Sequence, residues 1–116
     1  MRHRKKGKIL DRKKQPRELM LRNLASSLII YEKVKTTEAK AKAVKPLVEK
    51  VISLSKRGDL SAKRNVMKIL PQHLAVKKLF EVLSLRYKDK RGGYTRIIKL
   101  GKRQGDNADI VLISLT

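Results

Sequence analysis

Apolar residues recur along the chain with two different periods, and each change of period marks an element. Leu21, Leu24 and Leu28 stand at i, i+3 and i+7, with Met20 and Ala25 widening the stripe. That spacing lines one face of a 3.6-residue turn and predicts a first helix over Pro16–Ile30, with Pro16 in the first turn, where a missing N–H costs little. Tyr31–Thr36 (YEKVKT) alternates and predicts a short strand. Val44, Leu47, Val48, Val51, Ile52 and Ser55 then restore the helical period as far as Gly58. Thr37 is the expected N-cap, Glu38 sits where the helix dipole favours an anion, and Gly58 is the expected C-cap. Pro46 conflicts with a continuous helix because it removes a backbone donor, so a kink or a broken start is expected near Lys45.

Asp59 caps a third helix, whose stripe of Ala62, Val66, Ile69 and Leu70 ends at Pro71. A fourth helix over about His73–Leu85 carries Val76, Leu79, Phe80 and Leu83 on one face, which assigns Phe80 to the core. Arg86–Gly93 (RYKDKRGG) reads as a basic loop, and Tyr94–Leu100 and Ile110–Leu115 read as two strands joined by a long hairpin tip, Gly101–Asp109. Consecutive apolar positions at Ile97–Ile98 and Ile110–Ile113 call for at least one well-buried strand. The order helix, strand, three helices, two strands is buried most economically by packing the helices on one face of a small sheet. The expected fold is therefore a two-layer α+β domain over residues 16–116, preceded by a basic N-terminal arm over residues 1–15.

Composition narrows the chemistry. The 116 residues allow one domain, and a hydrophobic fraction of 41% is enough for a core. Against 10 Asp and Glu stand 31 Lys and Arg, a formal net charge of +21. A fold so charged repels itself unless a polyanion neutralises it, which argues against a free monomer working on neutral metabolites. With no Cys there is neither a disulfide framework nor a thiolate metal site. His3 and His73 lack ligand-like spacing, and no nucleophile elbow, zinc-protease motif or Walker loop is present. No catalysis, metal or cofactor is expected. Leu24–Ile30, the longest nearly apolar stretch, is far short of a bilayer span, and the basic start lacks an apolar signal core. A cytoplasmic location fits these features.

The charge is unevenly placed. Residues 1–17 hold Arg2, Arg4, Lys5, Lys6, Lys8, Arg12, Lys13, Lys14 and Arg17 against Asp11 alone, a net +8. Such density of one sign reads as an arm that orders on a polyanion. Residues 86–105 add Arg86, Lys88, Lys90, Arg91, Arg96, Lys99, Lys102 and Arg103 against Asp89, a net +7. Arg22 and Asn23 fall away from the first apolar stripe, and Lys63 and Arg64 lie beside the third, free to face a partner. Lys40 and Lys42 alternate with small residues that either admit a phosphate ridge or simply favour a helix. Tyr87 is expected to contact the partner, and both readings of Tyr94, a contact or a cap on the sheet core, stand. Scattered aromatics do not make the row of platforms found on single-strand binders. A helix-turn-helix is interrupted by Pro71, and the charge lies elsewhere. Folded RNA suits an arm, a loop and a hairpin tip better than a straight duplex does, and a DNA-binding nucleoid or regulatory protein is the alternative.

The opening MRHRKKGKIL, the segments RNLASSLI (Arg22–Ile29), KTTEAKAKAVKPLVEK (Lys35–Lys50) and SKRGDLSAKR (Ser55–Arg64), and RYKDKRGGYTRIIKLGKRQGD (Arg86–Asp106) together resemble the bacterial large-subunit ribosomal protein seventeen family. The likeness keeps its order over essentially the whole chain. It implies a non-catalytic, ribosome-bound protein that clamps large-subunit ribosomal RNA near the polypeptide exit tunnel, beside large-subunit protein thirty-two. It also implies contacts from Arg2, His3, Arg4, Lys5 and Lys6, from Thr36, Thr37, Lys40 and Lys42, and from the Arg86–Arg96 loop. Lys56 and Arg57 of the K-R-G-D-L motif join the candidates. Pro16 and Ser61 stand where the family commonly has His. Lys45 replaces its usual Arg and keeps a point charge but no bidentate fork.

Deleting residues 1–14 should weaken RNA binding and flatten its salt dependence while helical circular dichroism is largely kept. A collapse of the dichroism would make the arm part of the fold.

Overall fold

The apolar stripes close against one face of a three-stranded sheet. A computed structural model describes residues 14–116, with side chains from residue 16 onward, so the arm positions Arg2, His3, Arg4, Lys5, Lys6, Lys8, Arg12 and Lys13 lie outside the described residues. The elements are α1 (Lys14–Tyr31), β1 (Lys33–Thr37), α2 (Glu38–Arg57), α3 (Leu60–Ile69), α4 (His73–Lys78), a π-helical turn (Leu79–Leu83), α5 (Ser84–Arg86), β2 (Thr95–Lys102) and β3 (Asp109–Leu115). α4, the π turn and α5 follow one another without a gap, so the expected order of helix, strand, three helices and two strands holds. The chain is an α+β domain.

Every strand pair is antiparallel, in the order β1-β3-β2. β3 is therefore the well-buried strand the apolar run called for, with Val111 and Ile113 fully buried. The register sets Val34 and Ile97 beside Ile113, and Thr36 beside Val111, on the core face. Leu28 and Ile29 of α1, Val44, Val48, Val51 and Ile52 of α2, and Leu79 and Leu83 of the π turn join them in one cluster, and Phe80 packs against it. β2 carries a bulge at Leu100, between Lys99 opposite Val111 and Gly101 opposite Ile110.

The helix ends follow local chemistry. Thr37 Oγ1 accepts from the Lys40 N–H at 3.4 Å, and Asp59 Oδ1 accepts from the Ala62 N–H at 2.7 Å, the N-caps of α2 and α3. Gly58 closes α2 in the left-handed region, with φ of 70°. Of the kink or broken start expected near Lys45, the broken start does not occur. α2 runs through Pro46 for 20 residues, because the fully buried Val44 and Val48 hold it to the core on either side. The exposed Pro46 removes one backbone donor on the solvent side.

The first junction also differs from expectation. Tyr31 belongs to α1 rather than to the strand, and the chain turns at Glu32, which adopts φ of 67°. A left-handed non-glycine residue costs about 1–2 kcal/mol, and Glu32 is secured from several sides. Its carboxylate accepts from Lys78 Nζ at 2.9 Å and from both terminal nitrogens of Arg86. Its carbonyl accepts from the Leu115 N–H at 2.8 Å. Lys78 Nζ also donates to the Ile30 carbonyl at 2.8 Å. One residue thus ties the end of α1 to α4, α5 and β3. The Arg86 and Lys78 hydrogen bonds, in that order, lower the Glu32 carboxyl from 4.5 to about 2.

Because its folded-state pKa is depressed, Glu32 contributes stability that is present above pH 4.5 and lost as pH falls towards 2. The gap in melting temperature between the natural chain and Glu32→Gln should therefore narrow across that window, and a gap indifferent to pH would remove the ion cluster from the account. Gly58→Ala should destabilise by about 1 kcal/mol in chemical denaturation, purely from backbone strain. A Cβ at Gly58 meets nothing within 4 Å. Gly92→Ala, equally unobstructed and without a left-handed φ, should not show that loss.

Candidate nucleic-acid interface

The loop after α5 is held from beneath. Tyr87 and Tyr94 are 3% and 1% exposed, and their rings meet at 5.1 Å between centroids with a 57° tilt. The Tyr87 hydroxyl donates to the Thr116 carbonyl at 2.7 Å, and the Tyr94 hydroxyl donates to the Lys90 carbonyl at 2.9 Å. Glu49 reaches up from α2 and accepts from the N–H groups of Tyr94 and Thr95, each at 3.2 Å, and from Thr95 Oγ1 at 3.0 Å. The expected contact through Tyr87 is thus corrected, and of the two readings of Tyr94 the core cap is the one found. Buried rings brace the loop and offer no face to a nucleic acid.

Lys56 is likewise turned inward. Its ammonium donates to the Tyr94 hydroxyl at 2.9 Å and to the Lys90 carbonyl, and it stands 5.2 Å from the Tyr94 ring centroid. Lys90 is exposed, with Nζ donating to Thr116 Oγ1 at 2.8 Å. Lys88 and Arg91 are exposed on the braced loop, and Arg96 is exposed where β2 begins. None of the three has an ion pair among the described residues.

Other cations are committed to carboxylates. Lys42 pairs with Glu38 at 2.9 Å, Arg57 with Asp59 at 3.0 Å and Lys102 with Asp109 at 3.3 Å. Arg86 pairs with Glu32, and Arg103 with Asp106. The fork from Arg103, with a backbone bond from Ala108, lowers the Asp106 carboxyl to about 2. The Ala62 N–H and then Arg57 lower Asp59. Glu32 raises Arg86, and Asp106 raises Arg103. The cations of these pairs are exposed, and a polyanion can compete for them.

Thr36, Thr37 and Lys40 meet Arg103 of the hairpin tip around a cleft of about 350 Å³, whose lining also includes Lys35 and Ile110. An adjoining hollow of about 390 Å³ takes in Thr37, Lys42 and Asp109. The fold thus brings the start of α2 together with the hairpin tip, which the sequence treated separately. Ala41, within the alternation that left two readings open, is fully buried. Arg22 and Asn23 are exposed on α1, and Lys63 and Arg64 on α3. They line neither cleft. Arg17 and Lys45 are half-buried, and Lys14 lies in the first turn of α1.

Lys33 and Lys35 add two cations beyond those expected from the charge-rich segments. Both are exposed on β1, and the register sets Lys33, Ser114 and Arg96 in one cross-strand row and Lys35, Leu112 and Ile98 in the next. These rows lie on the face opposite the buried Val111 and Ile113. The signal was present in the alternation of Lys33, Val34 and Lys35. Among the described residues, no group of three or more His, Cys, Asp or Glu is arranged to hold a metal ion, and no helix is long and apolar enough to cross a membrane.

Residues 20–116 match the family model described as ribosomal protein L17. Curated relatives named large ribosomal subunit protein bL17 are similar over nearly the whole chain. The Syntrophotalea carbinolica protein is 50% identical over 99% of this chain and 74% of its own length. The Pelobacter propionicus protein is 48% identical over 99% of this chain and 91% of its own length. The Hydrogenobaculum protein is 45% identical, with 97% of each chain covered. With the family model matched over both layers of the domain and relatives near half identity, the chain belongs to the ribosomal protein L17 family.

Proposed function

We propose that this chain is a structural constituent of the large ribosomal subunit that binds and stabilises folded large-subunit ribosomal RNA. Membership of the large-subunit protein family rests on the match over residues 20–116 and on the names of its relatives; the protein is a structural one and not an enzyme. The observation that carries RNA binding is the split among its cations. Some are spent on internal pairs, while Lys88, Arg91, Arg96, Lys33 and Lys35 are exposed and have no ion pair among the described residues. Unpaired cations on several elements neutralise phosphates and release counterions. The folded body begins with α1 at Lys14, two residues before the expected boundary at 16, and the cations that precede it in the sequence add phosphate contacts.

The contacts we assign are Arg17, Arg22, Asn23, Lys33, Lys35, Thr36, Thr37, Lys40, Lys42, Lys45, Arg57, Lys63, Arg64, Arg86, Lys88, Lys90, Arg91, Arg96, Lys102 and Arg103, together with Lys14 and the cations and His3 of the arm. A position near the polypeptide exit tunnel, next to large-subunit protein thirty-two, in the cytoplasm, follows from the resemblance.

The protein should sediment with large subunits and leave them only in high salt or denaturant. Sedimentation with chromosomal DNA, or release at low salt, would defeat the proposal. Replacing Lys88, Arg91 and Arg96 together by Gln should make the logarithmic salt slope of RNA binding shallower by about 2–3. Unchanged circular dichroism would separate that effect from misfolding.

A further inference from the structure

All four aromatic residues of the chain lie among the described residues, and three of them are withheld from a ligand. Tyr87 and Tyr94 are buried, and Phe80 packs against the core. Tyr31 is 71% exposed. It is the last residue of α1, immediately before the left-handed Glu32 that Lys78, Arg86 and the Leu115 N–H hold in place. A junction fastened to α4, α5 and β3 therefore carries the ring on a backbone that is already ordered before any ligand arrives.

The surroundings identify the ligand. Glu32 faces two cations, so the cluster keeps one positive charge in excess, and the exposed Lys33 adds another. A solvent-facing ring adjoining that cluster and Lys33 in the chain suits a nucleotide, whose base has a π-face and whose phosphate is an anion. The row of aromatics needed to track a long single strand is absent, but one ring suffices for one base that has left its helix.

We infer that Tyr31 is a stacking platform for one unpaired nucleobase of the bound RNA, with Lys33 beside it for the adjacent phosphate. The inference rests on the RNA-binding proposal and adds a contact that the basic residues cannot supply.

Tyr31→Leu keeps an apolar side chain without a π-face, and Tyr31→Phe keeps the ring without the hydroxyl. Full-length chains would be titrated with deproteinised large-subunit ribosomal RNA and with a fully paired RNA duplex. Melting curves matching the natural chain are expected from the exposure of position 31. Tyr31→Leu should bind the ribosomal RNA about tenfold more weakly, and Tyr31→Phe within about twofold of the natural chain. Duplex affinity and the salt slope should not change in either variant, because stacking releases no counterions. The chain has no Trp, so its intrinsic emission is that of tyrosine, and binding of ribosomal RNA should quench a component that Tyr31→Phe lacks. Undiminished ribosomal RNA affinity in Tyr31→Leu would overturn the stacking role and leave RNA binding intact. Equal losses in both variants would overturn it too, by assigning the contact to the hydroxyl. Failure of the natural chain to bind ribosomal RNA would overturn both proposals.

Discussion

Glu32, Glu38, Glu49, Asp59, Asp106 and Asp109 each occupy a junction in a chain where 31 basic residues face only 10 acidic ones. Glu32 fastens α1 to α4, α5 and β3, and Glu49 holds the start of β2 from α2. Asp59 begins α3, Glu38 pairs within the first turns of α2, and Asp106 and Asp109 secure the hairpin tip. Carboxylates this scarce cannot screen the surface. Placed where chain segments meet, they oppose repulsion where it would open the fold, and they leave the excess positive charge on outward faces.

The tyrosines belong to the same economy. Tyr87 and Tyr94 could have served as contacts, yet their area is spent beneath a loop that bears Lys88 and Arg91. Large buried side chains beneath a charged loop hold it in place against repulsion among its cations. The rings act from below, by giving the loop a fixed shape.

Much of the fold was legible because periodicity reports which side faces the core. The stripes of α2, α3 and α4, both N-caps, the Gly58 cap and the buried strand followed from spacing alone. What escaped depends on contacts distant in sequence. The turn at Glu32 needs partners 46 and 54 residues away, so local alternation placed Tyr31 in the strand instead. Continuity through Pro46 is decided by Val44 and Val48 gripping the core, a tertiary effect that outweighs the missing donor. Leu79, Leu83 and Tyr87 continue a four-residue step into the core, a sign of burial that the charged neighbours of Tyr87 obscure. At the interface, the basic loop and the hairpin were visible as charge. The meeting of the hairpin tip with the start of α2 around Arg103 required the sheet, and Lys33 and Lys35 required its register.

That four-residue step begins in the π-helical turn, Leu79–Leu83, where the Ser84 N–H bonds to the Leu79 carbonyl. A π turn holds one residue more than an α turn, and each α-helical residue advances the side chains by about 100°. The extra residue therefore sets the phase of everything downstream, with Tyr87 turned into the core and Arg86 towards Glu32. Within this segment chain length is itself information. A one-residue deletion that leaves every apolar residue type in place would still rotate the basic loop away from its mounting.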